Sequence, residues 1–214
     1  MNTYKTLYTT AQEEYIVQKS RFICHAAPVS STEDALAYLE EIRKEHRSAS
    51  HNCFAYIIGQ NKGIIRYSDD GEPSGTAGKP IAEVMIAKDV VDSIVVITRY
   101  FGGILLGAGG LVRAYAHSAA LALDTAGICE MHETARRSLN ITYPLWDRVD
   151  HALKALPVIV EKIDYAANIT VSFLVREGDD TWIIMELMKI TDGKMESDKE
   201  QTLFYHPWGS KEKA

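Results

Sequence analysis

Cysteine is scarce in this chain: three, Cys24, Cys53 and Cys129, occur among 214 residues, far apart and never in a CxxC pair. That excludes a disulfide framework and a four-thiolate zinc site, and it fits a reducing cytoplasm. Long hydrophobic runs are missing as well. No stretch reaches the roughly 18 uncharged apolar residues of a membrane span, and the N-terminal MNTYKTLYTTAQEEY lacks an apolar core flanked by basic residues, so neither insertion nor export is expected. Positive charge is in deficit too: Lys plus Arg total 23 against 29 Asp plus Glu, a formal net charge of -6. Counted through Glu130 the chain has 12 basic and 15 acidic residues, and beyond it 11 and 14, so each half carries -3. Neither half has the basic balance of a non-specific duplex binder, and any nucleic-acid contact must be local. What is present is ordinary for a folded protein: 46% hydrophobic and 24% charged residues, with no repeat or low-complexity segment. The length fits two small domains.

Glu14 to Ala27 read as extended segments. Ser30 and Glu33 form a capping-box pattern ahead of a helix that runs to about His46, with Ala35, Leu36, Leu39 and Ile42 at helical spacing. Asn52–Ile58 and Ile64–Tyr67, separated by Gly59, Asn61 and Gly63, predict a hairpin. The loop SDDGEPSGTAGKP then leads to Pro80, which suits a first helical turn continuing through Ile81–Ala87. Ile94–Ile97 is uninterrupted Ile and Val, as in a central strand covered on both faces. A second glycine-rich loop follows and opens a helix whose inward stripe is Leu111, Tyr115, Ala119 and Leu123. From Arg137 to His206 the periods alternate as βαββαβ, a ferredoxin-like unit, with the boundary near residues 130 to 136. The division expected is thus 1–132 and 133–214.

Both glycine-rich loops are candidate sites. The first brings Arg66, Ser74, Gly75, Thr76, Gly78 and Lys79 to a helix start, where converging N–H groups and partial positive charge suit an anion. It is not a Walker loop, because Pro73 takes the place of that motif's first glycine and Pro80 follows Lys79. Asp69, Asp70 and Glu72 in this loop either cap it and balance neighbouring cations, or bind a divalent ion or act as acid and base. In the second loop, Gly102, Gly103, Gly107, Gly109 and Gly110 follow Arg99 and Tyr100, but Val112 stands where a dinucleotide fingerprint needs its third glycine. Arg99, with Arg113 and His117 one turn apart on a helix, could converge on a phosphate, and either arginine could equally pair with Asp69, Asp70 or Glu72. His51 and Cys53, two apart on a strand, share a face and allow a thiol–imidazole pair or half a metal site; no CxxC or HxxxH supplies further ligands. Of the tryptophans, Trp146 and Trp182 read as core, and the RNP-type pattern of RNA-binding sheets is absent.

At SDDGEPSGTAGKPI and TRYFGGILLGAGGLVRAY, with SRFICHA and ASHNCFAY upstream, the sequence closely resembles the bacterial YigZ branch of the Impact family, over essentially the whole chain. One departure is visible: Leu105 stands where the block usually reads YFGGIKLG. The resemblance implies an α+β protein. Its N-terminal two-layer α/β domain would resemble domain IV of elongation factor G, of the ribosomal protein S5 domain 2-like type, and would be followed by a ferredoxin-like βαββαβ domain. It implies no catalytic activity and no cofactor, and by fold analogy an association with RNA or the ribosome and with translation. The leading expectation is therefore a non-enzymatic cytoplasmic protein that binds RNA or a ribosomal surface through the two loops, with Arg99, Arg113 and Lys79 on phosphates and Tyr100 stacking. An enzyme acting on a phosphorylated small molecule or nucleotide at the same loops is the alternative, and thiol chemistry at Cys53 a third. Oligomeric state is not legible.

Overall fold

A computed structural model describes residues 3–208. It is α+β, and by their contacts the described residues divide into two compact units, one of Tyr4–Glu130 and one of Met131–Trp208 together with Thr3.

The first unit is built on an antiparallel sheet of β2 (Ala11–Val17), β3 (Ser20–Pro28), β4 (His51–Ile58), β5 (Ile64–Ser68) and β6 (Ser93–Tyr100), in the order β2-β3-β6-β4-β5. The Ile94–Ile97 run lies at the centre and is fully buried, which is why it could be apolar at every position. Alternation then sorts the strands by face. Phe22, Cys24, Ala26, Cys53, Ala55, Ile57, Val95 and Ile97 form one core with α2 (Gly78–Ala87) and α3 (Gly107–Ala126). Ala27, Tyr56, Ile58, Ile94 and Val96 form a smaller one with Ala35, Leu39 and Ile42 of α1 (Thr32–Glu45) on the opposite face. The cap of α1 lies one residue later than expected: Ser31 accepts the Asp34 N–H at 3.1 Å, while Ser30 binds the Asp34 carboxylate through its own N–H and hydroxyl. The short β1 (Thr3–Leu7) is held by the Val91 N–H, which donates to the Lys5 carbonyl at 2.8 Å.

The topology places the C-terminal ends of β5 and β6, the start of β4 and the β2–β3 turn at one end of this sheet, since Arg21 pairs with Tyr100, His51 with Arg99 and Phe54 with Ser68. The N-termini of α2 and α3 follow directly from those strand ends. Both glycine-rich loops therefore meet at the same end of the unit.

The second unit contains β7 (Ile128–Ile141), which begins in the first unit, α4 (Trp146–Ala155), β8 (Val158–Tyr165), β9 (Ile169–Arg176), α5 (Asp180–Ile190), β10 (Glu196–Lys199) and β11 (Phe204–Trp208). β9 lies between β7 and β8, and both β10 and β11 pair with β7. This is the βαββαβ order with its last strand broken at residues 200–203. Leu139, Ile141, Val171 and Phe173 pack with Val149, Leu153, Ile183 and Leu187 of the two helices.

Candidate functional site

The shared end of the first unit is built from four segments. Arg99 is the penultimate residue of β6, on the face that carries Val95 and Ile97, so its guanidinium enters the top of the α2–α3 core. It meets Glu72 there, Nη1 to Oε1 at 2.6 Å, with the two side chains 6% and 3% exposed. Tyr115 of α3 donates its hydroxyl to the same Glu72 oxygen at 2.9 Å, and Ser20 accepts from Arg99 Nη2 at 3.3 Å. The guanidinium lies 5.4 Å from the Phe22 ring and 5.5 Å from Phe101, so apolar surroundings and the bonds at Nη1 and Nη2 hold the ion pair in place, while the buried Nε has no partner.

Glu72 reaches inward because the chain turns sharply after Asp69. Asp70 has φ 44° and takes up the Asn52 N–H at 2.6 Å, with Arg43 at 3.5 Å from its other oxygen. Asp69 points the other way and accepts the backbone N–H groups of Gly75, Ala77 and Gly78 at 2.8, 3.0 and 2.8 Å. Burial alone would raise the Asp69 carboxyl; the three N–H bonds outweigh it and hold the group below its ordinary value. Asp69 is thus the cap of α2, and the anion site foreseen at that helix start is filled by the chain's own carboxylate. Gly78 is needed here because a Cβ would lie 2.7 Å from the Ser68 backbone. The acidic residues balance neither Lys79 nor Arg66: Lys79 is exposed with Glu83 at 3.7 Å, and Arg66 is exposed on the edge strand β5 and donates to the Ile65 carbonyl. Ser74 is exposed, while Thr76 is buried and donates to the Pro73 carbonyl.

His51 sits beside this network, Nδ1 at 2.8 Å from the Asp70 carbonyl and Nε2 at 3.9 Å from Glu72. Cys53 shares its face but not its bonds: the thiol donates to the Asp69 carbonyl at 2.9 Å and lies 3.4 Å from the Tyr115 hydroxyl. Burial pushes both Cys53 and Tyr115 well above their ordinary values, so neither is ionised near neutrality. Burial and these contacts disfavour the thiolate that chemistry at Cys53, one of the sequence expectations, would need. Among the described residues no group of three or more His, Cys, Asp or Glu side chains is placed to hold a metal ion.

The second loop is organised differently. Gly102 packs against the β2–β3 turn so closely that a Cβ would lie 2.0 Å from the Lys19 carbonyl carbon, and its N–H donates to Ser20 at 3.2 Å. Beyond it the chain turns outward: Gly103, Ile104 and Leu105 are exposed, Leu105 by 84%. α3 begins at Gly107 with no side-chain cap, and its first turn is Gly107, Ala108, Gly109 and Gly110. Arg113 is exposed one turn along, with Nη1 at 3.7 Å from where a Gly109 Cβ would stand. Tyr100 is turned to the α1 side, its hydroxyl 3.0 Å from His46 Nδ1 with Arg21 5.7 Å from its ring, and is not presented for stacking. His117 does not join Arg113; its ring rests 4.5 Å from that of Tyr15. The aromatic that the loop exposes is Phe101.

Sequence reasoning missed Tyr115 as a polar partner, because a tyrosine within a Leu–Ala stripe reads as core. The glycines of the second loop suggested an exposed apolar patch there, and the structure narrows it to Phe101, Ile104 and Leu105, whose direction depends on the Gly102 contact.

The Impact N-terminal domain family matches residues 18–123, which span both loops. Over 205 residues the chain is 37% identical to the Impact family member YvyE of Bacillus subtilis (strain 168), covering 96% of this chain and 94% of that one. It is 46% identical over 101 residues to the Impact family member YigZ of Escherichia coli (strain K12), covering 46% and 50% of the two chains. A crystal structure described as that of a hypothetical protein superposes with a TM-score of 0.60 at 29% identity, covering 92% of this chain and 97% of the other. The chain belongs to the Impact family.

Proposed function

We propose that this member of the Impact family is a binder of RNA or of a ribosomal surface, acting without catalysis and thereby on translation, and that the second glycine-rich loop makes the contact. The observation that carries the reading is the contrast in charge at the loop end. Asp69 and Glu72 are turned inward and satisfied, whereas the amides of Gly107–Gly109 have no side-chain cap, on an exposed helix start beside Arg113. Such a terminus carries partial positive charge and favours a phosphate oxygen. Lys79 and Lys19 are exposed at the same end, and Phe101 offers a partly free ring. Arg99 takes no part in the contact; it holds the platform from which the loop projects.

With a net charge of -6 the protein can neutralise only a few phosphates. For two or three, affinity should fall about 10- to 40-fold between 50 and 200 mM salt. Co-sedimentation with ribosomes from lysate at those two salt concentrations, with UV crosslinking to RNA, tests this. The expected result is salt-sensitive pelleting that weakens in an Arg113→Ala, Lys79→Ala double variant of unchanged melting temperature. Protein that stays in the supernatant and crosslinks to nothing would overturn the reading, and the same loop would then be screened against nucleotides and phosphorylated metabolites.

A further inference from the structure

The second unit holds a feature that the loops of the first do not explain. Along β11 every second residue is aromatic, Phe204, His206 and Trp208, with ring centroids 6.4 and 6.2 Å apart at interplanar angles of 81° and 70°. Alternation puts all three on one face, and their contacts identify it. Trp208 Nε1 donates to Thr134 Oγ1 at 2.8 Å, the Arg176 guanidinium lies 5.5 Å from the Trp208 ring, and that of Arg136 lies 5.4 Å from Phe204. Thr134 pairs with Arg176 and Arg136 with Leu174 across β7 and β9, on the side opposite the Leu139, Val171 and Phe173 side chains that meet α4 and α5. The rings are therefore on the helix-free side of the unit's own sheet, and all three are partly exposed.

We propose that this ladder is a stacking platform for the bases of single-stranded RNA. Rings at every second residue of a strand give successive bases a π-face each, and the helix-free side of a βαββαβ sheet is where side chains can reach them. The charges select this occupant over a duplex. Arg136 is held by Glu161 at 2.6 Å and Glu200 at 3.3 Å, and Arg176 by Asp179 at 2.6 Å, so the guanidiniums are fixed over the rings and little net positive charge faces outward. A rigid duplex offers mainly phosphates and finds few partners here. Unstacked bases bind by their faces and need few phosphate contacts, so this interaction depends weakly on salt. That property separates it from the salt-sensitive contact of the first unit, on which it does not rest.

The test is fluorescence anisotropy of a labelled ten-nucleotide oligouridylate with the full-length protein, at 50 and 200 mM salt. Saturable binding that changes by less than about threefold with salt is expected. It should fall about tenfold in Trp208→Ala and in Phe204→Ala, stay near the parent in Trp208→Phe, which keeps a ring, and persist in the Arg113→Ala, Lys79→Ala variant. Circular dichroism of each variant checks the fold. Equal affinity in the alanine and parent proteins, equal affinity for a duplex of the same length, or no binding to the oligonucleotide would each overturn the platform. Loss of binding in the Arg113→Ala, Lys79→Ala variant alone would also overturn it and assign the RNA to the first unit.

Discussion

The two glycine-rich loops look alike in composition and lie at the same end of one sheet, yet one is closed and the other open. In the first, Asp69 collects three amides and Glu72 enters the core against Arg99, so its polar groups are spent within the protein. In the second, the helix start is uncapped and Leu105 stands in solvent. Glycine content alone does not mark a ligand site; what matters is whether the chain satisfies its own amides. Tight inner packing and an unsatisfied outer surface are here divided between neighbours.

Breaking the closed loop should have the largest effect. Glu72→Ala leaves the Arg99 guanidinium buried without its counter-ion, and chemical denaturation should show a loss of about 3–5 kcal/mol. If the loss were below about 1 kcal/mol, the ion pair would not be the anchor of this end. Gly102→Ala comes next. A methyl at 2.0 Å from the Lys19 backbone forces the chain apart, at about 1–3 kcal/mol, read as a lowered melting temperature. The Asp69 cap is smaller: Asp69→Ala should cost about 1–2 kcal/mol. Because the folded Asp69 titrates below its unfolded value, its contribution is full above about pH 4 and is lost as pH falls through the folded value, so parent and variant should converge in acid. A parallel pH effect comes from His25, which burial and then the nearby His46 push down to about 4. Its unfolded form binds a proton first, so stability should rise with pH between about 4 and 6.5, with a shallower slope in His25→Phe. The smallest change in stability belongs to the open loop. Leu105→Ala should stay within about 0.5 kcal/mol of the parent while reducing ribosome pelleting, which sharpens the contrast between a loop that holds and a loop that presents.

Much of the fold was legible because it rests on periodicity. The uninterrupted Ile94–Ile97 run identified the central strand, and the stripe Leu111, Tyr115, Ala119, Leu123 gave the inward face of α3, since a buried strand and an amphipathic helix leave those patterns in any sequence. The site was legible only as a list of residues. Arg99 and Glu72 lie 27 positions apart, and nothing local shows that they meet; Arg99 next to a glycine loop looks the same whether it faces a phosphate or a carboxylate. Tyr100, foreseen as a stacking residue, faces His46 because alternation along β6 sends it to the side opposite Arg99. The ladder of β11 escaped notice because Phe, His and Trp at alternate positions near a chain end acquire meaning only when β7 lies alongside with Thr134 and Arg136.

The sequence by itself determined the Impact-family motifs, the α+β class and the order of most elements, because burial and backbone geometry act over a few neighbouring positions; it did not give the short β1, and Trp182, read as core, is 45% exposed. Only the tertiary structure decided which charges are neutralised and which are offered. That choice depends on the turn at Asp70, the close approach at Gly102 and the register of β3, β6 and β4. Distances of a few ångströms between segments remote in the chain decide whether a carboxylate finds an amide, a guanidinium or water.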